Sequence, residues 1–438
     1  MKYKYFSTII ICVTVLIILI GSILTPDQQV SEIEGRKLEL IPLPAFIREM
    51  FNNNVTNEKE DEISTDVVDM NSTKITEEQS EGGENSDNLS TPPLNENNIK
   101  TYVMGILNGD YFNRWDTYFS DHILGRNIFV NLYSFIQKSL KKEYINGVYF
   151  GDDGYLFTLP DYIPLTDNEV QQRVNYYNKF AQKYKNSHIY AINLPNKYTV
   201  YEDKLPINDY KSPLKGEFSR LAQGFSNDIE VLDLEKVFSD SKSYFLKTDH
   251  HWNMEGVYQG YINIIDKIRE QFPEIPIAYD SNEFEIEEYE RCFIGSDGRR
   301  VVRLVEESDN VMIWTHELFN EISVEIDNRE SQFYHYSNLE GGVGKHCYGV
   351  YMNGDNGIEV ITNPNVNNDL SLALIGDSMS NPLIPLLSLH FKSIYSYDMR
   401  HYQNNLLDEL NSLNPDIIML ISLTPNFMDE NSEIFDFE

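Results

Sequence analysis

Basic charge is scarce in this chain of 438 residues: 35 Lys and Arg stand against 69 Asp and Glu, a formal net charge of −34. A polyanion repels phosphate backbones and anionic headgroups, which argues against nucleic acid as a partner. Cysteine is nearly absent, with Cys12, Cys292 and Cys347 alone. Three thiols make no disulfide framework and supply no metal-ligand spacing. A bridge between Cys292 and Cys347 stays open in an oxidising compartment. No internal repeat is present. Aromatics are missing from Asn52 to Thr101, although they make up 13% of the whole. Within 52–97 only Lys59 and Lys74 balance a run of Asp and Glu, and the rest is largely Asn, Ser, Thr and Pro. Such a segment buries too little apolar area to offset its ordering entropy, so it reads as an acidic disordered linker.

Charge is also lacking between Tyr5 and Pro26, and here the consequence is positive. About 20 apolar residues span a bilayer as a helix. Lys2 and Lys4 precede the run and Asp27 follows it. By the positive-inside rule the N-terminus is cytoplasmic and everything after residue 27 lies outside. The competing reading is a cleaved signal peptide, but Gly21-Ser22 is a weak cleavage site with bulky Ile and Leu directly after it. The expectation is a single-pass anchor over 1–27, a juxtamembrane segment over 28–51 and the linker over 52–97. A folded domain follows over 98–438.

Within that domain, Tyr102 to Lys142 predicts two helices. Val148–Phe150 and Leu156–Phe157 around Asp153-Gly154 predict a hairpin. Thr166 and Glu169 fit a capping box, and Val170, Val174, Tyr177, Ala181 and Tyr184 line one helical face. Apolar runs at 188–194, 229–234, 372–375, 393–397 and 416–423 predict strands. A helix capped by Asn253 follows from about 254 to 272. Strands alternating with helices predict a parallel sheet covered on both faces. Residues 280–365 show no clean period and read as a β-rich insertion.

Two short motifs carry the chemistry. Thr248-Asp249-His250-His251-Trp252-Asn253 stands just before a helix. A carboxylate two residues from an imidazole can fix its tautomer and leave the other nitrogen free to take a proton. Gly376-Asp377-Ser378 follows a predicted strand and opens a helix, the place where open α/β folds put their sites. Helix-start amides there can stabilise an oxyanion. Each motif alone has a bland reading: a turn in one case, a packed surface or a metal site in the other. Adjacent residues point apart and no third ligand motif follows, so no metal is expected.

The tetrad Asp249-His250-His251-Trp252 resembles the signature of the bacterial DHHW proteins. Those are similar to alginate O-acetyltransferases of the AlgJ and AlgX type, within the SGNH-hydrolase-like group. Gly376-Asp377-Ser378 through His390 to Asp398-Met399-Arg400-His401-Tyr402 resembles that group's C-terminal block closely. Looser likenesses are Glu34-Gly35-Arg36 (where the group more often has Asn at the middle position), Asp121 with Gly125-Arg126, 146–157, and Leu194-Pro195-Asn196-Lys197 with Tyr201. The resemblance implies a three-layer α/β SGNH-like domain with a flavodoxin-like parallel sheet and a permuted motif order. It implies Ser378 as nucleophile, His251 as base and Asp249 as orienter, with His250 a variable position. The amide of Met379 and Asn426 are the implied oxyanion donors. Arg400, Lys197 and Trp252 are candidate substrate contacts. The implied reaction moves acetyl groups to hydroxyls of an extracellular polysaccharide without a cofactor, supplied by a membrane-bound O-acyltransferase partner. Two rivals use the same residues: an acetylesterase, and a non-catalytic glycan-binding or assembly protein.

Overall fold

The computed structural model describes residues 30–31, 36–37 and 109–438, apart from 239–242, 302–303, 306–307, 340–346, 436 and 438. The expected anchor, the 52–97 linker and most of the 28–51 juxtamembrane segment lie outside the described residues. Among the described residues no helix is long and apolar enough to cross a membrane. The chain divides into two compact units, Met1–Ile136 and Gln137–Glu438.

In the first unit, β1 (Val30–Ser31) and β2 (Arg36–Lys37) pair antiparallel. Helix α1 (Asp110–His122) and helix α2 (Arg126–Ser139), which runs across the division, match the two expected helices. Gly125 between them sits at φ 77°, a left-handed turn position that favours glycine.

The second unit opens with β3 (Tyr144–Ile145), β4 (Val148–Phe150) and β5 (Leu156–Phe157) in an antiparallel meander. The β4–β5 turn holds Asp153 at φ 57° and Gly154 at φ 80°, the conformation an Asp-Gly pair tolerates. Helix α3 (Asp167–Lys183) starts with both bonds of the Thr166–Glu169 capping box in place. Its expected apolar face is buried.

The main sheet has eight strands in the order β11-β10-β12-β14-β13-β15-β6-β7. β6 (His188–Leu194), β7 (Ile229–Asp233), β13 (Ser371–Ile375), β14 (Ser393–Tyr397) and β15 (Ile417–Leu423) run parallel. Alternate residues feed opposite faces, as a period of two requires. Leu372, Leu374, Met419 and Ile192 join one apolar cluster with α6 (Met254–Arg269). Ala373, Ile375, Leu420 and Ala191 join the other with α3. The result is a sheet between two helical layers.

The sheet differs from the expected parallel one. β10 (Ser323–Ile326), β11 (Arg329–Ser331) and β12 (Ile358–Thr362) extend it antiparallel beyond β14, so it is mixed. These strands come from the region read as an insertion. They cover the edge of β14, which would otherwise present unpaired amides and carbonyls. From the same region, β8 (Glu285–Phe293) and β9 (Asp309–Thr315) form a separate antiparallel ribbon.

The connection out of β13 leads to β14 on one side, and β15 returns to the other side of β13. Strand order therefore reverses at β13. In open α/β sheets the crevice at such a reversal, at the carboxyl ends of the strands, is the usual site. Ser378 stands three residues past the end of β13.

Candidate active site

The turn that carries Ser378 is built by close approach. A Cβ on Gly376 would lie 2.8 Å from Ser380 Oγ and 3.0 Å from the Ile421 carbonyl oxygen, so only glycine lets the turn lie against β15. The Gly376 amide donates to Tyr397 O at 3.1 Å, tying the turn to β14. Asp377 is buried and braces the turn from within. It accepts from the Met379 amide at 3.0 Å, from Ser422 Oγ at 2.5 Å and from Asn426 Nδ2 at 3.0 Å. Burial pushes its carboxyl up, against the pull of Arg400 and the Ser422 bond. Ser378 is left half-buried, with its hydroxyl against the His251 ring.

The loop before α6 supplies the imidazole. His251 Nδ1 lies 2.5 Å from Asp249 Oδ1, and Nε2 lies 3.0 Å from Ser378 Oγ. The structure thus brings together Ser378, His251 and Asp249, 127 residues apart in the chain at the His–Ser step. Asp249 is buried. Burial alone would raise its carboxyl, but His251, His250 and the Ser296 amide outweigh it and hold it well below the usual carboxylate range. The Ser296 amide donates to Asp249 Oδ2 at 2.7 Å. His250 is exposed, with Nδ1 2.9 Å from Ser296 Oγ and no part in the line to Ser378.

Residues that the sequence reading missed fix this loop. Asp309, at the start of β9, accepts from the amides of Lys247 and Thr248 and from Thr248 Oγ1, at 2.5 to 2.7 Å. Gly295 lies so close that a Cβ there would sit 2.2 Å from Asp249 Cβ. Tyr348 stacks on the His251 ring, with centroids 3.9 Å apart and planes 21° apart. All three come from the region read as a β-rich insertion. The run Gly295-Ser296-Asp297-Gly298 was the available signal, a second tight turn opening helix α7 (Ser296–Arg300).

Two candidate substrate contacts are corrected. Lys197 is 3% exposed, pairs with Asp297 at 3.0 Å and donates to Asp249 O at 2.5 Å. Trp252 is fully buried, and its Nε1 donates to Met379 O at 2.8 Å. Both are buried and bonded within the protein, to the Asp249 loop in one case and the Ser378 turn in the other. Arg400 keeps partial exposure but is held by Asp398 at 2.5 Å and Asp355 at 3.4 Å. The two expected oxyanion donors are engaged elsewhere. The Met379 amide goes to Asp377, and Asn426 Nδ2 goes to Asp377 and to Ser422 Oγ at 2.7 Å. The Ser378 amide donates to no acceptor among the described residues.

Among the described residues, two clusters could gather round a cation: Asp249, His250 and His251, and Asp355, Asp398 and His401. In the first, Asp249 already accepts from His251 and Ser296. In the second, the Arg400 guanidinium already supplies the positive charge. Cys292 and Cys347 form no bridge with each other, and the Cys347 thiol donates to the Cys292 carbonyl at 2.8 Å.

Residues 148–291 match the family described as ALGX, SGNH hydrolase-like domain, acetyltransferase AlgX. The match contains the Asp249–Trp252 tetrad and stops short of Ser378. No curated protein matches the chain. Among solved structures, PatB1 of Bacillus cereus, described with a sulfonyl adduct, is 20% identical. It covers 67% of this chain and 100% of its own, with a TM-score of 0.57. A DHHW family protein from Eubacterium siraeum is 18% identical. It covers 66% of this chain and 95% of its own, with a TM-score of 0.55. The likeness to the DHHW and AlgX group that the motifs carry is thus met again in the family match, and the fold is SGNH-hydrolase-like α/β.

Proposed function

We propose that this chain is an extracytoplasmic O-acetyltransferase that moves acetyl groups onto hydroxyls of a cell-surface or secreted polysaccharide. The observation that carries the reading is the continuous line from Asp249 through His251 to Ser378 Oγ, at 2.5 and 3.0 Å, at the reversal point of the sheet. The acetyltransferase description of the matched family supports it. So does the sulfonyl adduct of PatB1, since such reagents take activated nucleophiles.

In the first half-reaction Ser378 Oγ attacks the acetyl carbonyl of a donor ester or thioester. Its proton passes to His251 Nε2, and Asp249 steadies the imidazolium through Nδ1. Collapse expels the donor's leaving group, which takes that proton, and leaves acetyl-Ser378. In the second, a sugar hydroxyl gives its proton to His251 Nε2 and attacks the acetyl carbon. Collapse breaks the bond to Ser378 Oγ, which recovers the proton. The unused Ser378 amide is the first candidate donor to the oxyanion. The N-terminal apolar run anchors the domain on the outer side of the membrane, where a membrane-bound O-acyltransferase delivers the acetyl group.

The test is transfer itself. Full-length protein is given p-nitrophenyl acetate and oligosaccharide acceptors, and products are read by mass spectrometry. Acetylated oligosaccharide that vanishes in Ser378→Ala supports the proposal. Free acetate alone, at a rate no acceptor alters, replaces it with the esterase reading.

A further inference from the structure

Tyr348 lies in a 3-10 turn, Cys347–Val350, in the region between β11 and β12. It is 3% exposed. Its ring covers the His251 imidazole nearly in parallel, 3.9 Å between centroids. The hydrogen bonds to Asp249 and Ser378 fix the two ring nitrogens of His251, but neither fixes the tilt of the ring plane. The Tyr348 face is a contact that can. The turn is itself fastened: Cys347 Sγ donates to Cys292 O on β8 at 2.8 Å. Tyr351 packs edge-on to Tyr348 at 5.1 Å and donates to Met312 O on β9 at 2.5 Å. The ring is therefore tied to the β8–β9 ribbon.

The Tyr348 hydroxyl does nothing comparable. It is buried and has no hydrogen-bond partner among the described residues. The nearby Trp252 N–H goes to the Met379 carbonyl instead. Burial, then Tyr351, Asp249 and Asp377, push the phenol well above its usual range, so the ring stays neutral. A neutral aromatic face within about 6 Å attracts a cation. The imidazole beneath it gains a positive charge when it takes the Ser378 proton. Contacts stronger in that state than in the resting one are the ones that accelerate a reaction.

We infer that Tyr348 is a positioning residue, whose ring holds the His251 imidazole in plane for Ser378 and favours its protonated form. The inference rests on the reading of Ser378 and His251 as nucleophile and base. It assigns the effect to the ring and none to the hydroxyl.

The experiment is stopped-flow release of p-nitrophenol from p-nitrophenyl acetate by the full-length protein, comparing Tyr348→Phe and Tyr348→Leu. Unfolding midpoints and the low-field proton resonance of His251 Nδ1–H are recorded alongside. The burst in Tyr348→Phe is expected to stay within about threefold of the unmodified rate, because the stack is kept. In Tyr348→Leu it is expected to slow by about tenfold or more, with the low-field proton broadened or lost. A Leu variant as fast as the unmodified protein overturns the inference. So does a Phe variant slowed tenfold at an unchanged midpoint, which decides the matter even if the Leu variant does not fold. A burst that needs Ser378 and His251 but not the ring overturns this inference alone. Absence of any Ser378-dependent burst overturns it together with the reading beneath it.

Discussion

Adding one methyl group at Gly295 should disable the site with Ser378, His251 and Asp249 all left in the sequence. Gly295 has φ −77° and ψ −169°, which any residue adopts, so the backbone sets no obstacle to alanine. The obstacle is contact. The added Cβ would meet Asp249 Cβ and Oδ2 at 2.2 Å and Cγ at 2.5 Å, about 1.2 Å short of an ordinary contact. Either Asp249 retreats or the 295–298 turn does. Both movements break the Ser296 amide bond to Asp249 Oδ2, now 2.7 Å, and shift the carboxylate that orients His251. Overpacking of this kind costs about 1–3 kcal/mol of stability. A misplacement of about 1 Å in a catalytic constellation costs on the order of 100-fold in rate. The assay is the acetylation burst in Gly295→Ala beside a thermal unfolding curve. A fall of about two orders of magnitude, with a midpoint lowered by a few degrees, is expected. A burst within twofold of the unmodified rate at an unchanged midpoint would refute the reasoning.

Three further outcomes follow from buried charge. Lys197→Met leaves Asp297 buried without its cation and should cost about 3–5 kcal/mol in denaturant unfolding, with Lys197→Met/Asp297→Leu recovering part of the loss. Glu359 is pushed up from 4.5 to about 8, by burial first and then by Asp398 and Asp355, against hydrogen bonds from Ser396 and Asn356. Its raised folded value means that its contribution is full below about pH 4.5 and lost as pH rises through about 8. Thermal unfolding between pH 6 and 9 should therefore fall more steeply in the unmodified protein than in Glu359→Gln; parallel curves would contradict this. Asp249 is held below the usual carboxylate range, so its contribution is present above about pH 4 and lost only as pH falls further. The burst should accordingly show no second ionisation step between pH 4 and 5.

The parallel strands were legible in the sequence because buried strands read as short apolar runs, and 188–194 and 417–423 are almost wholly apolar. The Thr166 capping box, the Asn253 cap and the Asp153-Gly154 turn were legible for the same local reason: each is decided within four residues. The Asp249–His251 pair and the Ser378 turn could be found as motifs, but that they meet is a long-range fact that no spacing contains. Lys197 and Trp252 were misread because a Lys or a Trp near a motif looks the same in sequence whether it faces the cleft or the core. The buried Asp297 that neutralises Lys197 lies 100 positions away. β10 to β12 were misjudged because their charged residues mask the alternation, Glu359 being buried rather than solvated. That same region, read as a β-rich insertion, carries Gly295, Asp309 and Tyr348, which lie against Asp249, Thr248 and His251.

The most direct measurement is covalent labelling of the full-length protein with a serine-reactive sulfonyl fluoride, with the adduct mapped by mass spectrometry in the unmodified chain and in His251→Ala. An adduct on Ser378 that disappears when His251 is removed is the predicted result. A folded protein that takes no adduct, or one labelled at Ser378 equally well without His251, would contradict the account.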